Sequence, residues 1–214
     1  MKIFLKVISL LLLPSLIVGQ QENAYLSSLY RSLSDATSDT ARMEVCSKLG
    51  SYYSLEDRDS SNFYVEKALS IAVRLNLKFD EASILNEMGV ILMQQEKFSK
   101  SLEFYLKALN IAKSPTIEKT IWHLPRGQKT PMSERMLLLS KCYDLIGLLN
   151  AYAGNWSGNT KNQLKNYREA EKYAIAAGNT GQIAYVKFHM GIAFMSEGKL
   201  DSALIFIKKA ISTF

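Results

Sequence analysis

The stretch Leu85–Asn86–Glu87–Met88–Gly89–Val90–Ile91–Leu92 returns later in the chain as Lys187–Phe188–His189–Met190–Gly191–Ile192–Ala193–Phe194. A short polar break follows each copy, Gln95–Glu96–Lys97–Phe98 in the first and Glu197–Gly198–Lys199–Leu200 in the second. A second apolar segment then begins, Ser101–Leu102–Glu103–Phe104–Tyr105–Leu106–Lys107–Ala108–Leu109 and Ala203–Leu204–Ile205–Phe206–Ile207–Lys208–Lys209–Ala210–Ile211. Leu85, Met88 and Leu92, and again Leu102, Tyr105 and Leu109, recur with the 3.6-residue period of a helix. No run alternates apolar and polar residues between turn signals, as a half-buried strand would. The chain reads as all-α.

A helix–turn–helix unit with Gly in its first helix and Ala in its second resembles the tetratricopeptide repeat. Gly89 and Gly191 stand 102 residues apart, three times that repeat's 34, yet no glycine occupies the intermediate positions, His123 and Ser157. The alanines are a better ruler: Ala68 to Ala108 is 40 residues, Ala170 to Ala210 is 40, and Ala108 to Ala170 is 62. First-helix glycines agree, with Gly50 to Gly89 at 39, Gly89 to Gly147 at 58 and Gly147 to Gly191 at 44. The expected architecture is a right-handed, tetratricopeptide-like α-solenoid over 21–214. Its hairpins are about 38–77, 78–113, 132–178 and 179–214, with an eighteen-residue insertion at 114–131 and a shorter one near Asn155–Thr160. Small residues at the glycines and alanines let paired helices approach. Tyr105, Tyr167 and Ile207, three positions before their alanines, are expected to fill the space between neighbouring hairpins. Asn76, Gly178 and Gly198 read as helix terminators, and Ser38 or Asp39 as a first cap.

The segment Glu22–Asp35 forms a further amphipathic helix with Tyr25, Leu26, Leu29, Tyr30 and Leu33 on one face, suited to capping the first hairpin. The insertion at 114–131 holds three of the four prolines and reads as an irregular loop pinned to the stack by Trp122. At the other end Leu204, Ile207, Ile211 and Phe214 would face solvent, since a terminal repeat normally needs a polar covering surface. That exposure implies a continuation, a truncation or self-association through the C-terminal hairpin.

The first twenty residues differ from the rest. Lys2 and Lys6 precede an apolar run from Val7 to Val18, and no acidic residue occurs before Glu22. The pattern is that of a secretory signal peptide, 1–20, cleaved near Gly19 or Gln20, with an uncleaved anchor as the alternative. Removal leaves 24 basic and 20 acidic residues, a charge of +4 over 194 residues. The basic residues are scattered rather than massed, and no nucleic-acid-binding motif accompanies them, so nucleic acid is not an expected partner.

Several further stretches suggest a narrower likeness. Leu26–Ser27–Ser28–Leu29, Asp39–Thr40–Ala41–Arg42, Leu49–Gly50–Ser51–Tyr52–Tyr53, Asp59–Ser60 and Glu66–Lys67–Ala68–Leu69–Ser70–Ile71–Ala72 resemble the periplasmic tetratricopeptide region of bacterial two-component sensor histidine kinases. The resemblance implies a periplasmic module that senses a ligand or partner, followed in the family by further repeats, a membrane helix and a cytoplasmic kinase. These residues carry no second membrane segment, phosphoacceptor-histidine helix or Gly-rich ATP lid. Contact with a membrane is expected only through an uncleaved signal or a further C-terminal segment.

Catalytic readings find little support. Cys46 and Cys142 lie among apolar neighbours without a nearby histidine, and both are expected to be free, buried thiols. His123 and His189 have no Cys, Asp or Glu at metal-ligand spacing. No phosphate loop or nucleophile elbow appears. The expectation is a non-enzyme with no cofactor and no metal, binding a protein or peptide, with oligomerisation as the alternative role. In a tetratricopeptide stack the first helices line the concave face. The resemblance therefore places Asn86, Val90 and Met93, then Asp144, Leu148 and Tyr152, then Tyr185, Phe188, Ile192 and Met195 on a groove. That groove reads as apolar and aromatic, suited to an amphipathic or apolar peptide, or permanently filled by the insertion or a further segment.

Overall fold

A computed structural model describes residues 24–124, 130–154 and 160–213. The expected signal segment 1–20, most of the shorter insertion and Phe214 lie outside the described residues. Among these residues there are helices and turns but no strand: α1 (24–35), α2 (Asp39–Tyr53), α3 (Arg58–Arg74), α4 (Lys78–Gln94), α5 (Phe98–Lys113), α6 (Pro131–Ala153), α7 (Thr160–Ala177), α8 (Thr180–Ser196) and α9 (Leu200–Ile211). They pack as helical hairpins of the tetratricopeptide kind. The chain divides into two compact units, up to Ile71 and from Ala72 onward.

In the first unit Leu29 of α1 is buried with Val45 and Leu49 of α2, and Leu26, Leu33, Tyr52, Tyr53 and Tyr64 pack around them. Tyr25 and Tyr30, expected on the same stripe, are instead exposed at its border. A phenol has a wet end, and the Tyr30 hydroxyl bonds the Tyr53 hydroxyl at 2.9 Å. In the second unit α4 pairs with α5, α6 with α7 and α8 with α9, while α5 meets α6 and α7 meets α8. The first helices also touch in series, α4 to α6 and α6 to α8, which gives them a shared side.

The glycines mark where each hairpin closes. A β-carbon on Gly89 would lie 2.3 Å from Tyr105 Cε1, and one on Gly147 would lie 2.5 Å from Tyr167 Cε1. Val65 fills the same notch over Gly50, and Ile207 over Gly191. Each ring therefore beds on the first helix of its own hairpin, and Tyr167 also packs against Val186, Met190 and Ala193 of α8 in the neighbouring hairpin, as expected. An aromatic ring needs a flat bed, and a helix with no side chain at one position supplies it. Ile207 is consequently half-buried, although it was expected to face solvent. Ala68, Ala108, Ala170 and Ala210 are all buried at the same depth of the second helices.

Buried serines tighten this seam. Ser61 Oγ donates to the Gly50 carbonyl at 2.8 Å, and Ser101 Oγ donates to the Gly89 carbonyl at 2.7 Å. In the third hairpin the bond runs the other way, from Ser140 Oγ on α6 to the Ala170 carbonyl on α7 at 2.7 Å. A net hydrogen bond of this sort contributes about 1 kcal/mol.

Four helix ends share one geometry. Asn76, Glu96, Gly178 and Gly198 have φ of 54°, 60°, 66° and 73°. At each, the next residue's N–H returns to a carbonyl five residues back: Leu77 to Ala72, Lys97 to Leu92, Asn179 to Ala174 and Lys199 to Phe194. The preceding N–H closes the inner bond, so all four are Schellman turns. Ser38 caps α2, accepting from the Ala41 N–H.

The insertion after α5 is not wholly irregular. Pro115–Thr120 forms a 3-10 helix, and Pro131 already belongs to the first turn of α6. Ile117, not Trp122, is its buried anchor; Trp122 is 46% exposed, with its indole N–H donating to Asp80 Oδ2 at 3.2 Å. Thr120 Oγ1 accepts the Phe79 N–H at 3.1 Å, serving the start of α4, whose own cap residue Leu77 offers no side-chain acceptor. Glu118 pairs with Arg135 Nε of α6 at 2.7 Å. The insertion thus straps together the first turns of α4 and α6.

Candidate functional site

The shared side of the first helices holds a cavity of about 320 Å³. Ser83, Asn86, Glu87 and Val90 come from α4, and Leu138, Lys141, Asp144 and Leu145 from α6. Gln182 and Tyr185 come from α8. These positions recur at intervals of three and four because only such spacing keeps side chains on one face of a helix.

Asp144 organises the far wall. It is only 7% exposed. Its Oδ1 lies 2.7 Å from His189 Nδ1, and its Oδ2 accepts from Gln182 Nε2 at 3.3 Å. A carboxylate only accepts, so the His189 proton resides on Nδ1. Gln182 and His189 are seven residues apart, two helical turns, and so reach the same α6 carboxylate together. The charge of Asp144 also helps hold the Tyr167 phenol in its protonated form, after the larger effect of burial.

The near wall contains an unusual amide. Asn86 is 5% exposed, and its Nδ2 donates to Cys142 Sγ at 3.2 Å, while its Oδ1 is buried without a partner. Burial pushes the Cys142 thiol up to about 12, against the smaller opposing effect of this hydrogen bond, so the sulfur stays protonated and inert at neutral pH. Cys46 is likewise free and buried, and its thiol is raised by desolvation.

The ten groove residues read from the sequence are placed as follows. Asn86, Val90, Asp144 and Tyr185 line this cavity. Leu148 and Ile192 are half-buried beyond its lining, and Tyr152, Phe188 and Met195 are exposed on α6 and α8. Met93 is 7% exposed and belongs to the core, on the same helix stripe as the buried Gly89 and Asn86, four and seven residues before it. Most of the cavity's surface is apolar, as expected, but Glu87, Lys141, Asp144, Asn86, Ser83 and Gln182 bring polar groups to its wall. The sequence reading missed Lys141, Gln182 and the Asp144–His189 pair. The pair joins two helices 45 residues apart, and only the seven-residue spacing of Gln182 and His189 hinted at a common target.

Among the described residues no group of three or more His, Cys, Asp or Glu side chains could hold a metal ion. No helix there is long and apolar enough to cross a membrane.

Residues 82–115, spanning most of α4 and all of α5, match the model of the tetratricopeptide repeat. The crystal structure of BtubC (BKLC) from P. vanneervenii is similar in fold, with a TM-score of 0.60 at 17% identity. That likeness covers 91% of this chain and 72% of that one. No curated protein matches the chain.

Proposed function

We propose that this chain is a non-catalytic interaction module that takes a peptide or a protein segment along the first helices α4, α6 and α8. The observation that carries this reading is the cavity those helices enclose, with a buried carboxylate held in place by two donors from another helix. Holding a desolvated charge at a cavity wall costs free energy, and packing alone does not require it. Tyr152, Phe188 and Met195 extend an exposed aromatic and thioether surface beside it, the composition that binding surfaces favour. The basic start and apolar run of residues 1–20 support export to the periplasm. The stretches that resemble sensor-kinase input regions support a role as the sensing part of a signalling protein.

Tyr152→Ser with Phe188→Ser tests the groove. Both side chains are exposed, so the pair is expected to cost no more than about 0.5 kcal/mol each. Peptides selected from a display library against the full chain should lose binding to this variant while its Tm moves by only a few degrees. Retained binding, or a collapse of Tm, would remove the groove reading.

A second reading, self-association, is favoured by α9. Leu200, Leu204, Ile205 and Ile211 are exposed on this twelve-residue helix. Sedimentation equilibrium is expected to show a mass that rises with concentration and returns to monomer in Leu204→Glu/Ile211→Glu. A monomer up to millimolar protein would rule this out.

A further inference from the structure

We propose that the cavity between α4, α6 and α8 is a cation pocket, which receives the ammonium or guanidinium of one lysine or arginine side chain of the bound peptide. The inference rests on the groove reading above and names the chemistry at its centre.

The buried groups of the wall have acceptor capacity to spare. An ionised carboxylate offers about four acceptor positions, and His189 and Gln182 fill two of those on Asp144. Asn86 Oδ1 is a third acceptor, enclosed and unmatched. An orphaned buried acceptor is destabilising until a donor reaches it. A donor-only group answers both needs: an ammonium carries three N–H bonds and a guanidinium five, with no acceptor to be left over. Tyr185 adds an exposed ring at the lining, and ring faces attract cations within about 6 Å. A carboxylate ligand would find the opposite, a second negative charge facing Asp144 and another acceptor facing Asn86.

Lys141 shares the lining and opposes a cation. It is exposed, whereas Asp144 is buried, so its charge is screened by water and that of Asp144 is not. Glu87 on α4 brings the lining's carboxylates to two against that one lysine. The size fits as well. A cavity of about 320 Å³ lies at the small end of the roughly 300–1,000 Å³ seen for ligand pockets, room for a long side chain and its water but not for a folded element.

The test is calorimetric titration of the full chain with acetylated, amidated alanine-rich octapeptides that carry Arg, Lys, Leu or Glu at the centre, and with free L-arginine. The Arg and Lys peptides are expected to bind most tightly and the Glu peptide least. Asp144→Asn keeps the shape and an acceptor for His189, and is expected to weaken the Arg peptide about 30-fold or more while leaving the Leu peptide unchanged. Lys141→Ala is expected to tighten the Arg peptide about twofold to fivefold. If Asp144→Asn does not fold, Val90→Lys places a cation on the lining from α4 and should cause the same selective loss. Preference for the Leu or Glu peptide, or indifference of the Arg peptide to both charge variants, overturns the pocket and leaves the groove. Binding of no peptide at all removes both readings. Free L-arginine binding as tightly as the Arg peptide overturns the peptide as the source of the cation.

Discussion

Gly89 has the ring of Tyr105 where a β-carbon would stand, and Tyr105 is fully buried with nowhere to retreat. Gly89→Ala is therefore expected to destabilise the chain by about 1–3 kcal/mol, the usual cost of overpacking. Gly181 makes the internal control. It lies in the first turn of α8, where an added β-carbon would meet only Asn179 Oδ1 at an ordinary 3.5 Å. Gly181→Ala is expected to stabilise by about 0.4–1 kcal/mol, because alanine loses less backbone freedom on folding. Denaturant melts of the two variants check both signs, and equal effects would dissolve the distinction between a notch and a free position. The notches were legible in the sequence as glycines at recurring spacing. Their occupants were also visible, as Tyr105 and Tyr167, but that the rings lie over the glycines of their own hairpins was not. Periodicity places a residue on a face of its helix, and it does not say which of two facing helices will supply the bed.

The turns raise the converse question, of a side chain standing where none is wanted. Four helix ends have the same left-handed residue, yet one of them is Glu96. An L-residue with a β-carbon pays about 1–2 kcal/mol in that conformation, and glycine does not. Glu96→Gly is expected to recover about 1 kcal/mol in thermal melts, with no change in helix content by circular dichroism. A drop in Tm would mean that Glu96 contributes something its exposed position does not suggest. Asn76, Gly178 and Gly198 could be read as stops from sequence because their residue types tolerate positive φ. Glu96 could not, since nothing in its chemistry announces the turn; only alignment with Gly198, 102 residues on, does so. The insertion was harder still. Its prolines correctly signalled a departure from the repeat, but Thr120 bonds Phe79 across 41 residues, and such long-range capping leaves no local pattern.

At the scale of the molecule the all-α hairpin plan followed from the repeated stretches, while the make-up of the cavity followed only in part. Asn86, Val90, Asp144 and Tyr185 line it as read, and most of its surface is apolar, but Leu148 and Ile192 lie beyond it and Lys141 and Gln182 add polar groups that no local pattern announced. The seams between paired helices also differ in strength, and this has a temporal consequence. In the second unit, α4/α5 is joined by a buried tyrosine and a serine-to-carbonyl bond, and α6/α7 by the same two devices. In α8/α9 the notch holds an isoleucine, alanine stands at Ala203 in the place of Ser101, and α9 buries only Ala203 and Ala210. Opening free energies vary along a chain with just such differences in buried contacts. Amide exchange followed by mass spectrometry should therefore show α9 and the facing turns of α8 taking up deuterium well before α5 or α7. Uniform exchange across the three hairpins would mean that they open as one body. If the order holds, this unit does not melt all at once: it unravels hairpin by hairpin, and the loosest is the one whose clasp has no hydroxyl.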